Sequence, residues 1–251
     1  MEKIKIVVLD SPYYSWHEPM AVKFFTDLIG VKLRAYGSEY PHGVLPVDGA
    51  DFISTHIAVC RTEDDGSFFP ILCNRWTSLK RCRSHYVNFP GLSLLQQANA
   101  PEHIRALEEI ISKADERNAD LLYSGGLSID PLARTKNKEK LKEESLFFRE
   151  LLTLMYVNYQ REINCSEVIA GGTIRFKVDR LTTEMGHKPL MIDNVELEPI
   201  QVKHLAGEAV KIMHLKEFSF ETLRIAKKWQ HLWDDRLIIN ELNFSDLKKT
   251  G

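Results

Sequence analysis

Much of what would settle the class of this chain at once is missing from it. Its four cysteines, Cys60, Cys73, Cys82 and Cys165, form no C-x-x-C pair, so reduced thiols in a cytoplasmic protein are expected. No charge of one sign dominates: 33 Lys plus Arg stand against 35 Asp plus Glu, a formal net charge of -2. That balance excludes a general nucleic-acid binder, which needs a domain-wide basic excess to neutralise phosphates. No apolar run approaches the roughly 20 residues of a membrane-spanning helix. The apolar part of Met1–Leu9 is too short for a signal peptide and no small-residue cleavage site follows, so a soluble protein is expected. P-loops, G-x-S-x-G elbows and Gly-rich nucleotide loops are absent, which sets aside common hydrolases and NTPases. None of the nine histidines sits in H-E-x-x-H and no Cys/His spacing fits a closed zinc site, so no metal is expected.

What is present is enough for a full core. The 251 residues are 44% hydrophobic and 27% charged, which suits one elaborated domain and argues against wholesale disorder. Neither an internal repeat nor a low-complexity linker interrupts it. Ile4–Leu9 reads as a strand. Pro19 opens a helix whose apolar face is Met20, Phe24, Phe25, Leu28 and Ile29, and Gly30 either ends or interrupts it. The segment 36–49 reads as a surface loop. Two apolar runs, 52–61 and 69–76, flank an Asp-Gly turn, the signal of a hairpin. The stretch 88–100 reads as irregular. Pro101 then opens a helix carrying Ile104, Leu107, Ile110 and Ile111. Residues 208–215 read as a last strand and 218–242 as a terminal amphipathic helix. These boundaries give a domain over 1–215 and a C-terminal helical extension over 216–251.

The most informative stretch is 121–187. A strand, Leu121–Ile129, runs into Asp130-Pro131 and a basic turn, Arg134-Thr135-Lys136-Asn137-Lys138. A long helix follows, so apolar around Leu146–Val157 that it must be buried on more than one side. Next come a second strand, Val168–Thr173, and a helix closing on Met185-Gly186-His187. Strand, basic turn and helix together offer backbone amides and positive charge to an anion. Glycine pairs, Gly125-Gly126 and Gly171-Gly172, lie in both strands, where glycine marks a bulge or the close approach of a ligand.

This order resembles the GNAT (GCN5-related N-acyltransferase) superfamily, an α/β fold with a mixed central sheet flanked by helices. The helix at 101–118 makes it resemble the acyl-homoserine-lactone synthases (autoinducer synthases) and N-acyl amino acid synthases in particular. The segment from Asp48 through Phe52 to Thr55-His56-Ile57-Ala58-Val59 is similar to the entry into their second strand. The resemblance implies transfer of an acyl group from acyl-CoA or an acyl-phosphopantetheine carrier protein to a small-molecule amine. It implies that the backbone of Leu127, Ser128 and Ile129 pairs with the pantetheine arm. Arg134, Thr135, Lys136 and Lys138 would meet phosphate, and Gly171 and Gly172 would flank the slot. Residues 134–139 hold no glycine, a departure from the family turn that suits a carrier protein better than a tightly cradled pyrophosphate.

For the chemistry, the family's thiol-protonating tyrosine has no counterpart in 174–179, and Tyr123 and Tyr156 read as packing residues. Glu167 is the candidate base and His56 a candidate cleft residue, each with a structural reading beside it. Two other functions stay open. One is a catalytically inactive GNAT-like protein that binds an acyl chain, carrier protein or other partner. The other is a glyoxalase-like metal enzyme with His56 and Glu196 or Glu208 as ligands. The sequence leaves the oligomeric state undetermined.

Overall fold

A computed structural model describes residues 4–40, 43–64, 66–134, 138–163, 165 and 167–240. In chain order the elements are β1 (Ile4–Asp10), α1 (Pro12–Ser15), α2 (Pro19–Glu39), β2 (Thr55–Thr62) and β3 (Phe68–Ser78). They continue as α3 (Leu79–Ser84), α4 (Pro90–Gln97), α5 (Pro101–Glu116), β4 (Leu121–Ile129), α6 (Lys138–Glu162), β5 (Glu167–Thr173) and α7 (Val178–Met185). The last part is β6 (Lys188–Pro189), β7 (Met191–Ile192), β8 (Val195–Glu196), β9 (Ile200–Val202), β10 (Glu208–Leu215), α8 (Phe220–Lys228), α9 (Gln230–Asp234) and β11 (Leu237–Ile239). They group into two compact units: 1–76 with 126–152 and 229–251, and 77–125 with 153–228.

In the first unit β1 lies between β11, to which it is parallel, and β2, which runs antiparallel and pairs in turn with β3. The hairpin expected from Asp-Gly is thus formed, with a register shift between Val59 and Cys60. Helix α2 packs its apolar stripe, Ala21, Phe24, Phe25, Leu28 and Val31, on Val7, Leu9, Ala58, Cys60 and Cys73. Each of the larger side chains contributes about 1.5–3 kcal/mol by leaving water. The helix runs through Gly30 to Glu39, so the expected loop begins later than 36. Burial of Val31 and Ala35 holds that last part in place, a tertiary gain that outweighs the roughly 1 kcal/mol cost of each helical glycine.

The second unit centres on β5, parallel to β4 on one side and antiparallel to β10 on the other. Strand β10 also pairs with β6 and β9. The span 88–100 is not irregular as expected: Pro90–Gln97 is helix α4, started by Pro90 and buried through Gly91, Leu94 and Leu95. The single terminal helix expected over 218–242 is also corrected. It becomes α8, α9 and β11, because Leu237, Ile238 and Ile239 take a register on Val7, Val8 and Leu9. No helix among the described residues is long and apolar enough to cross a membrane.

Candidate active site

In the first unit the sheet and α2 enclose a group of charges that no local sequence pattern announced. Asp51 is the third residue of a short 3-10 turn, Gly49–Phe52, and its Oδ2 accepts the Asp48 amide at 2.9 Å, while Asp48 Oδ1 accepts the Ala50 amide at 2.9 Å. Lys32, from the middle of α2, donates to Asp51 Oδ1 at 2.5 Å with its side chain only 2% exposed. Arg75 of β3 lies 2.9 Å from Asp51 Oδ2 and donates to Asp48 Oδ1 at 2.7 Å. The charges set one another's protonation. Burial alone would raise the Asp51 carboxyl, but Arg75 and Lys32 outweigh it and hold it at about 2. Burial lowers Lys32, and Asp51 offsets only part of that.

His56 belongs to the same group. Burial pushes it down to about 4 against the pull of Asp51, so the ring is neutral at pH 7. Its Nε2 lies 2.7 Å from the Asp51 carbonyl oxygen, which can only accept, so the ring carries its proton there. Phe25 stands edge-on to it with centroids 5.5 Å apart. The expected cleft histidine is therefore enclosed, with its proton committed to the backbone.

Above this group β4 is irregular. Gly126 has φ +64, and a Cβ there would meet Lys32 Cε at 3.3 Å and Lys32 Nζ at 3.5 Å. Only glycine combines that backbone with that approach. Downstream, Leu127 and Ile129 are half-buried and Ser128 is buried, its hydroxyl donating to the Gly126 carbonyl at 3.2 Å. Asp130 follows the strand: Arg34 Nη2 donates to it at 2.5 Å, and its Oδ1 accepts the Leu132 amide at 3.0 Å. Arg134 is exposed. Thr135 and Lys136 lie outside the described residues, and Lys138 begins α6 with its side chain outside them.

In the second unit the parallel pairing of β4 with β5 runs from Leu121↔Glu167 to Ser124↔Ala170 and stops there, short of the end of both strands. Gly125 and Gly171 occupy the next position on each. Beyond Ala170, β5 keeps its pairing with β10, at Gly171↔Ile212, Gly172↔Lys211 and Thr173↔Val210. Gly172 has a packing role: a Cβ there would fall 2.6 Å from Asp179 Cα, so its absence lets the start of α7 sit on β5.

Glu167, the candidate base, stands at the far end of β5. It accepts from Arg117 and, at 2.7 Å, from His214 Nε2. Burial would raise its carboxyl, yet the Arg117 hydrogen bond and the His214 charge prevail and keep it below the usual range. A carboxylate so held is a poor proton acceptor. His214, which sequence reasoning passed over, is lowered by burial, with Glu167 offsetting part of that. Both line a cavity of about 990 Å³ with Arg117, Lys188, Leu190 and Phe218.

The structure thus brings Leu127, Ser128, Ile129 and Arg134 along one run of chain, and puts Gly171 and Gly172 at the end of the β4–β5 ladder. His56 and Glu167 each sit in a separate charged cluster. The glyoxalase-like ligands are engaged elsewhere: Glu196 pairs with Lys211 at 2.5 Å and Glu208 with Arg175 at 2.7 Å. Among the described residues no three His, Cys, Asp or Glu side chains come together as a metal site.

No protein-family model and no curated protein matches this chain. Solved structures do resemble it in layout. The N-acyl amino acid synthase FeeM from uncultured soil microbes is 9% identical, with 94% of this chain and 96% of that one covered and a TM-score of 0.48. The CoA-dependent acyl-homoserine lactone synthase BjaI is 10% identical over 94% of this chain and 92% of its own, with a TM-score of 0.49. An acyl-CoA N-acyltransferase from Pseudomonas aeruginosa is 13% identical over 84% and 99%, with a TM-score of 0.44. The chain's own element order is consistent with the GNAT-like α/β layout expected from the sequence. Strand, helices, hairpin, helix, strand, helix, strand and helix follow in that superfamily's order, with its mixed sheet and flanking helices. At such identities and TM-scores these structures carry no argument about chemistry, which has to be argued from this chain's own residues.

Proposed function

We propose that this protein is an N-acyltransferase that moves an acyl group from a pantetheine thioester to the amine of a small molecule. The observation that carries the reading is the early end of the β4–β5 ladder at Ser124↔Ala170, with a glycine next on either strand. From Gly171 onward β5 has a strand partner on its β10 side and no β4 partner among the described residues. Pantetheine is a narrow extended chain with two amides, so it suits such an edge as an added strand does. By the family resemblance, the backbone of Leu127–Ile129 would pair with the pantetheine arm and Arg134 would meet its phosphate, which is the part of the reading that the Arg134→Glu variant below tests.

Donor identity is the finer part of the proposal. A turn without glycine favours the single phosphate of a carrier protein over the pyrophosphate of coenzyme A. Thermal stabilisation by coenzyme A, acetyl-CoA, a long-chain acyl-CoA and an acylated carrier protein tests this directly. A ligand at about 100 times its dissociation constant adds roughly 2.7 kcal/mol, a readily seen shift. Arg134→Glu should weaken whichever donor binds while leaving the melting temperature of the free protein unchanged. A shift with non-acylated donors alone, and no thioester turnover, would favour a GNAT-like binding protein. No shift with any donor would overturn the reading.

A further inference from the structure

The cavity lined by Glu167 and His214 lies away from the proposed donor slot. Glu167 is the first residue of β5, three positions before Ala170, the last to have a β4 partner. That is a separation of roughly 10 Å along the strand. The cavity measures about 990 Å³, the size of a small-molecule site. Residues of α5, of 186–194 and of 214–219 line it, all within the second unit. Ile110, Leu190 and Phe218 give it an apolar wall.

One ring nitrogen of His214 is left over in this arrangement. The Glu167 carboxylate can only accept, so His214 Nε2, 2.7 Å away, carries the proton between them. The other Glu167 oxygen accepts from Arg117. His214 Nδ1 is then a lone-pair acceptor, and it has no protein partner among the described residues. Two cations, Lys216 and Arg117, act on the ring against the single carboxylate of Glu167. Lys216 has no carboxylate partner among the described residues. A cationic ligand would add a third positive charge beside them. A carboxylate instead continues an alternation of sign: Arg117 positive, Glu167 negative, His214 positive once protonated, ligand negative. The other charges of the lining do not reverse this, because they are exposed, screened by water and salt, and of both signs. They are Lys113, Glu109 and Glu116 of α5, Lys188 of β6, Asp193 between β7 and β8, and Glu217. Asp193 also lies 3.6 Å from Arg105.

We infer that this cavity binds a small carboxylic acid with an apolar body, its carboxylate on His214 Nδ1 and Lys216 and its hydrocarbon part on Ile110, Leu190 and Phe218. The acid arrives ionised and water supplies one proton. An Nδ1–H bond forms, and the imidazolium lies between two carboxylates. Burial holds the ring below its ordinary value, so above about pH 6.5 each binding event takes up one proton.

Octanoate is the probe, titrated calorimetrically into the full chain at about pH 6.5 and pH 8, with octylamine as the cationic comparator. Octanoate affinity should fall by about tenfold per pH unit, the slope of a single linked proton. Octylamine should bind more weakly at both pH values. In a proton–nitrogen correlation spectrum of the histidine rings, the His214 signals are assigned by their loss in His214→Gln. Octanoate should move them from the neutral to the imidazolium pattern, and His214→Gln should bind octanoate weakly and without pH dependence. Equal octanoate affinity at the two pH values, His214 signals that octanoate leaves unchanged, or octylamine bound as tightly would each overturn the assignment. So would no binding of octanoate at either pH. Should His214→Gln not fold, proton uptake by wild type, taken from the heats in buffers of different ionisation enthalpy, is read the same way.

Discussion

Replacing Asp51 by Asn keeps the size of the side chain and removes its charge, which isolates the electrostatic part of the buried cluster. The carboxyl is held at about 2 against an ordinary 3.8. By linkage that difference alone is about 2 kcal/mol at neutral pH, present above pH ~4 and lost as the pH falls through 2. The substitution should cost more than that, because it strands two cations. Lys32 and Arg75 have side chains 2% and 8% exposed, with Asp48 left as the nearby anion. The new amide would also point a donor group at one of them. Breaking a buried pair in this way costs about 3–5 kcal/mol, a large share of the 5–15 kcal/mol that stabilises an ordinary domain. In a chain of this size that is a fall of roughly 6–20 °C in melting temperature. Urea titration followed by far-ultraviolet circular dichroism gives the number. Lys32→Met should lose less, since it leaves Asp51 paired with Arg75 and removes a desolvated ammonium. An Asp51→Asn protein within about 1 kcal/mol of wild type, or a Lys32→Met protein less stable than it, would refute the account of the cluster.

Two further expectations follow from burial and close packing. His56 and His187 are both pushed by burial to about 4 from 6.5, so the folded protein binds their protons later than the unfolded chain does. Their stabilisation is complete above pH 6.5 and is lost as the pH falls from 6.5 to 4. Between pH 7 and 5 each should remove about 2 kcal/mol, and a urea midpoint that stays flat over that range would show that these rings are not buried neutral. Gly172→Ala places a methyl 2.6 Å from the Asp179 backbone and should destabilise by about 1–3 kcal/mol. Gly37→Ala, in α2 with nothing within 4 Å, should stabilise by about 0.5–1 kcal/mol. Equal effects at the two glycines would contradict the packing of α7 on β5.

Local chemistry made a good part of this legible. The strand Leu121–Ile129 has the bounds that its apolar run and the following Asp130-Pro131 imply. The helix from Pro101 carries Leu107 and Ile111 inward at the spacing read from the sequence, and the apolar girth of 146–157 is matched by burial of Phe148, Leu151, Leu152, Leu154, Met155, Tyr156 and Val157. Gly186 closes α7 at φ +112, as a glycine after a helix does. Helix α4 escaped notice because Gly91 sits in its first turn and weakens the local signal, whereas in the fold that glycine is there for Tyr123.

The candidate site was legible only where its elements are contiguous. The run from Gly125 to Arg134 showed itself through glycines and basic residues, and its first part, as far as Ile129, lies on β4. Lys32, Asp51, Arg75 and Asp48 did not, because each is an ordinary surface residue in its own segment and becomes unusual only through partners 19 to 27 residues away. His214 and Glu167, 47 residues apart, are a similar case.

The sequence by itself determined the order of β1, α2, β2, β3, α5, β4, α6, β5, α7 and β10, the glycine-marked strands and the absence of long apolar spans, since these depend on periodicity and on backbone preferences within a few residues. Tertiary structure alone decided the rest. A three-residue run, Leu237–Ile239, is a strand because β1 lies beside it, and Gly91, Gly125 and Gly171 have meaning because the Tyr123 side chain needs the space. Strand pairing and side-chain clearance are properties of the neighbour across space, and no window along the chain contains that neighbour.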